Sequence, residues 1–284
     1  MAATSPIQAN LPTTLPASPL LRPLHLWHLT SFDAPTVAVL WTLAFARAAH
    51  LTLPLWIPLV LALGTWAVYL FDRLLDARSR ATTLQARHHF HWRHRRLCFP
   101  LAAASLLAAL VIAHSQMPPS ARPRNTLLAL AALAYFAAVH LPAHLPASRA
   151  RIPKEFLVGL IFSLACVLPV AARTPAPLTL APVALAAILL AWLNCHAIDS
   201  WESHRTSTRI PAPTLAAACL AAALTLALVH QPAQAALLAC FSLSALLLAL
   251  LNRRSTTLAP LTLRTLADAV LLTPLLLFLL PALA

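Results

Sequence analysis

Nine stretches of this chain are apolar for close to the roughly 20 residues that carry an α-helix across a bilayer. They run over about 34–50, 52–71, 97–115, 125–141, 155–172, 178–195, 212–229, 233–252 and 265–283. In hydrocarbon every backbone polar group must be bonded internally, which only helices and closed barrels achieve. No segment alternates with period two, so the barrel is excluded. The expected fold is all-α: a polytopic membrane bundle of about nine transmembrane helices over 34–284. A flexible, proline-containing cytoplasmic tail is expected over 1–33, with Leu24, Trp27 and Leu29 as an interfacial anchor. The first run is the weakest, being short and ending in Arg47 and His50.

Hydrophobic residues make up 60% of the chain and charged residues 10%, far from a soluble domain. A net charge of +13 raises the question of nucleic acid, but the arginines cluster between apolar runs, where they act as topology signals and anchors for anionic lipid headgroups. With nine spans, the amino terminus and the links after spans two, four, six and eight share one side. Those regions hold 16 of the 20 basic residues, all but Arg47, Arg122, Arg124 and Arg173. The positive-inside bias makes that side cytoplasmic. The expected location is therefore a bacterial inner membrane with a cytoplasmic amino terminus. The five cysteines have no metal-ligand spacing and suggest no disulfide framework.

The chain has only seven carboxylates, and four fall in two patches, Asp72 with Asp76 and Asp199 with Glu202. Both patches follow an even-numbered span and so lie on the cytoplasmic side. Asp72 and Asp76 are four residues apart, which puts both on one face if span two continues as a helix. Carboxylates at a membrane boundary are costly unless paired or bound to a cation. Hard divalent ions suit such oxygen donors, held commonly by one or two carboxylates and a phosphate substrate. The plainer alternative is a helix-end ion pair, Asp72 with Arg73 or Glu202 with Arg205, worth about 0–1 kcal/mol when exposed.

This order of spans, with acidic motifs after spans two and six, resembles the UbiA superfamily of intramembrane prenyltransferases over roughly residues 34–284. The last two acids of the family's first motif, Asn-Asp-x-x-Asp-x-x-x-Asp, fall on Asp72 and Asp76, with Arg73 following. Val68 and Tyr69 stand where its Asn-Asp pair would be. The second motif retains Asp199, with Glu202 three residues on, Ser203 at another acidic place and His196 at an earlier one. Lys154, Glu155 and Gly159 are similar to the start of the family's fifth helix, and Gly159, one of two glycines with Gly64, suggests a close backbone approach.

The resemblance implies Mg2+-dependent transfer of a prenyl group from a prenyl diphosphate to an aromatic or lipid-like acceptor. It implies Asp72, Asp76, Asp199 and Glu202 as metal ligands, with catalysis resting on the three aspartates, and Arg73, Arg78 and Lys154 as diphosphate ligands. Asn194 and His196 would line the cavity, although a helix-to-helix hydrogen bond is an equal reading of each. The incomplete motifs motivate a second possibility, the same scaffold without catalysis, binding a lipid or a partner.

Two further features carry alternatives. His88, His89, His91 and His94 fall within seven residues, which suits a transition-metal transporter or, with the flanking arginines, a loop lying on anionic headgroups. Asp268 follows Arg264 by four residues, which suits an intrahelical ion pair or a catalytic role.

Overall fold

The computed structural model describes residues 21–79, 85–140, 154–203 and 211–279. Among these residues there is no strand, in keeping with the all-α expectation. The helices are α1 (Arg22–Leu29), α2 (Asp33–Ala48), α3 (Trp56–Ser79), α4 (Ala86–Arg93), α5 (Arg95–Gln116), α6 (Arg122–His140), α7 (Lys154–Ala171), α8 (Ala181–Glu202), α9 (Ala212–Leu228), α10 (Pro232–Arg253), α11 (Pro260–Ala269) and α12 (Leu276–Leu279). Proline stands in the first two positions of α1, α8, α9, α10 and α11, where its missing N–H costs nothing.

Each of the nine apolar runs contains a helix, and among the described residues six helical segments are long and apolar enough to cross a membrane. These are Trp56–Arg78, Arg95–Gln116, Lys154–Ala171, Pro177–Glu202, Pro232–Arg253 and Pro260–Leu279. Of the other three, α2 and α9 are shorter, 16 and 17 residues, and α6 is polar at both ends. A seventh span results if α1 and α2 count as one, although they meet at 89°.

The expected tail differs too. Residues 1–20 lie outside the described structure, but α1 is a packed helix, because His25 and His28 turn inward to polar partners on α2 and α11. The bend after α1 is a helix-ending turn: Ser31 N–H donates to His28 O and Phe32 N–H to Trp27 O, with Ser31 at φ 59°. Glycine usually takes this left-handed position. A chain with two glycines uses Ser31, His50 and His230 there instead.

The core is built around Trp41, Phe45 and Phe241, all fully buried, with the Trp41 and Phe241 rings 5.1 Å apart. Pro274 interrupts the last span, and residues Val270–Leu275 take a tighter 3₁₀ path. Having no N–H, Pro274 cannot donate to the carbonyl of Val270, its α-helical acceptor, or to that of Leu271, its 3₁₀ acceptor. Ser244 Oγ donates to the first at 2.7 Å and Trp41 Nε1 to the second at 2.9 Å. The aromatic core therefore also supplies the hydrogen bond that the proline removes.

Gly159 bears out the close approach read from the sequence: a Cβ there would lie 2.6 Å from the Trp192 backbone nitrogen. Gly64 has open space around it. The outward faces of α5, α6 and α9 carry Leu107, Leu110, Leu127, Leu133, Leu224 and Leu228, all largely exposed. An apolar surface of this kind suits lipid.

Candidate functional site

The helices alternate direction, so the start of α2, the ends of α3, α6, α8 and α10, and the starts of α7 and α11 gather at one end of the bundle. Cross-helix polar contacts fix this grouping: His140 with Asp72, Lys154 with Asp199, Trp201 with Asn252, Arg264 with Glu202. Both acidic patches stand there.

On α3, one helical turn separates Asp72 and Asp76, and the imidazole of His140 at the end of α6 lies against both. Its Nε2 is 3.1 Å from Asp72 Oδ1 and its Nδ1 4.0 Å from Asp76 Oδ1. Asp76 also faces His88 Nε2 at 3.5 Å. Arg73, buried, reaches Asp72 at 3.4 Å and lies over the Tyr69 ring. Tyr69 thus holds the arginine beside the two aspartates. Arg78 is exposed in the last turn of α3.

On α8, the two acids behave differently. Asp199 is partly exposed, 3.5 Å from Lys154 Nζ, whose helix is pressed against α8 at Gly159. Glu202 is enclosed by two guanidinium groups. Arg87 Nη1 and Nη2 donate to its two oxygens at 2.8 and 3.2 Å, and Arg264 Nη1 donates at 2.5 Å. Asn194 is buried and its Oδ1 accepts no hydrogen bond from a described group, whereas His196 stacks on Trp192.

The basic histidine segment, one reading of which was a headgroup-lying loop, forms α4 and is folded into the site. Consecutive residues Arg87 and His88 project to different helices and so connect the patches, Arg87 to Glu202 and His88 to Asp76. Gln85 also accepts from Arg87. Burial, with Arg264 and Arg73 nearby, pushes Arg87 down to about 9 against the pull of Glu202. Burial also lowers His88 and takes His91 down to about 4. Burial keeps His91 neutral even though its bond to a carbonyl favours the charged form: Nδ1–H donates to Arg87 O at 2.8 Å, and in the neutral ring Nε2 accepts from Ser31 Oγ at 3.3 Å. The histidines of α4 thus diverge rather than converge on one point.

Beside Glu202 opens a cavity of about 860 Å³, bordered by His28, Arg87, Trp201, Asn252 and Arg264. Asp72, Asp76 and Asp199 do not line it. The carboxylate that sequence reasoning passed over is Asp33, which meets Asp268 at His28: Nδ1 is 2.7 Å from Asp33 Oδ2 and 2.9 Å from Asp268 Oδ2. Only the i, i+4 spacing of Arg264 and Asp268 hinted at a role for the latter. No family model, no curated protein and no solved structure matches the chain.

Proposed function

We propose that this integral-membrane protein is a UbiA-like prenyltransferase, which takes a prenyl diphosphate at the cytoplasmic end of its bundle and passes the prenyl group to a hydrophobic acceptor, aromatic or lipid-like. The observation that carries this reading is the gathering of Asp72 and Asp76 around one imidazole, at the same bundle end as Asp199 and Lys154. The arginine bias supports a bacterial inner membrane with this end in the cytoplasm.

The donor set fits a hard divalent ion at α3. Two carboxylates face one spot, both are partly open to solvent, and such ions take oxygen ligands with retained water. Asp72, Asp76 and Asp199 would hold Mg2+; both oxygens of Glu202 already accept from arginine, which gives that residue a positioning role. The ion supplies neutralisation of charge on the departing diphosphate.

The protein's own groups do the rest. Lys154, largely exposed beside Asp199, and Arg78 at the end of α3 offer cationic donors to the diphosphate, and Arg73 orients Asp72. Asn194 and His196 lie within about two turns of Asp199 along α8, and an apolar tail seated between helices there would be kept from water, which protects an allylic cation.

A second reading keeps the scaffold without the chemistry, as a lipid- or partner-binding membrane protein. It is favoured by the ion pairing of every acid in the two patches. Incubating the purified chain with a panel of labelled prenyl diphosphates, with Mg2+ or with a chelator, separates the two. Diphosphate release that requires Mg2+ is expected; stable binding with no release on any chain length selects the second reading.

A further inference from the structure

Beyond the proposed diphosphate site, His28, Asp33 and Asp268 form a cluster of one imidazole and two carboxylates. The three residues come from α1, α2 and α11, and one ligand atom from each lies within 4.8 Å of the other two. His28 and Asp33 are buried, and Asp268 is nearly so. The turn at Ser31 brings His28 and Asp33 together, and Thr262, one helical face away from Asp268, is bonded by His25 at 3.2 Å, which ties α1 to α11.

Three electron-rich atoms meet at one point in the fold. Nδ1 of His28 can carry one hydrogen, yet carboxylate oxygens stand 2.7 and 2.9 Å from it on two sides. With both carboxylates ionised, a neutral ring leaves two negative charges and an imidazolium leaves one, so without an ion the cluster is balanced only by taking up protons. The cations that act on the pair are spent elsewhere, Arg264 on Glu202 and Arg73 on Asp72. Buried charge of this kind is costly unless compensated. A divalent ion in place of the proton balances both carboxylates, and the 2.7 and 2.9 Å contacts would open by about half an ångström to seat an ion at about 2.0–2.2 Å from each ligand. His28 also borders the 860 Å³ cavity, which gives an ion a route inward.

We infer that His28, Asp33 and Asp268 bind a divalent transition-metal ion, through one imidazole nitrogen and two carboxylate oxygens, with water completing the shell. Mixed nitrogen and oxygen donors select Zn2+ and related ions over Mg2+. The site is separate from Asp72, Asp76 and Asp199.

The test uses the full chain in detergent, stripped with a chelator, reloaded with Zn2+ and desalted. It retains about one Zn2+ per chain, and Co2+ loaded instead gives visible d–d absorption. His28→Gln and Asp268→Asn weaken Zn2+ binding at least about 100-fold, since even outer partners cost about 10–100-fold. Asp76→Asn keeps wild-type affinity, which distinguishes this ion from the one proposed on α3. Zn2+ affinity unchanged in His28→Gln and Asp268→Asn overturns the site. If those variants do not fold, the wild type decides alone: a folded chain that retains no Zn2+ and shows no Co2+ band overturns it equally.

Discussion

Arg87 grips Glu202 through a two-point ion pair, at 2.8 and 3.2 Å, across 115 residues of sequence. Arg264 shares the same carboxylate, so Glu202 is the single negative charge between two guanidinium groups. Glu202→Gln leaves the two arginines facing each other in a largely buried setting. Breaking a buried pair costs about 3–5 kcal/mol; partial exposure of Glu202 places the expected loss near the lower bound. SDS titration in mixed micelles measures it, and Arg87→Ala, which leaves Arg264 on Glu202, costs less.

Acid sensitivity follows from α4. His91 has an ordinary value of 6.5 unfolded and about 4 folded, so in that window the unfolded chain binds more protons and stability falls as pH drops. Burial shifts His88 in the same direction. The contribution is fully present above pH 6.5 and is lost progressively toward pH 4, with His91 accounting for about 3 kcal/mol over the whole window. Replacement His91→Gln flattens the profile of stability against pH, and a profile identical to wild type contradicts the assignment.

At Gly159 the expected effect is steric. A methyl group there meets backbone rather than a flexible side chain, so α7 and α8 must separate. Gly159→Ala costs about 1–3 kcal/mol, in line with overpacking. Gly64→Ala, which meets open space, is neutral or slightly stabilising through helix propensity. The comparison is read from paired unfolding curves. Because the Gly159 contact sets the register of Lys154 against Asp199, the first substitution also lowers any diphosphate affinity, and the second does not.

Trp41 tests the last span. Trp41→Phe keeps an aromatic ring but removes the donor to the Leu271 carbonyl, leaving a buried acceptor unsatisfied at a cost of about 1–3 kcal/mol. Pro274→Ala in the same background restores an N–H to the helix and recovers part of the loss, as a double-mutant cycle shows.

The helical membrane character was legible because bilayer length and apolar runs are local properties, and Gly159 was legible because glycine is so rare in this chain. Asp72 and Asp76 stood out by their i, i+4 spacing. What the sequence concealed depends on distant partners. His28 and Asp33 sit in a segment whose prolines resemble a tail, and their third partner, Asp268, lies at the far end of the chain. The α4 histidines read as surface because the segment is basic, yet Arg87 is buried through a partner 115 residues away. Six spans rather than nine stand out among the described residues for a physical reason: α2 and α9 are apolar but short, and apolar composition alone does not register where a helix stops.

The central claim rests on Asp72 and Asp76 as the acids that make diphosphate departure possible. The most direct measurement is Mg2+-dependent diphosphate release by wild type, Asp72→Asn and Asp76→Asn, each first shown to be folded in detergent. Wild type is expected to release diphosphate in a reaction that a chelator abolishes, and each variant to lose at least about 100-fold, as for an electrostatic group acting in the transition state. Equal turnover in wild type and both variants contradicts it.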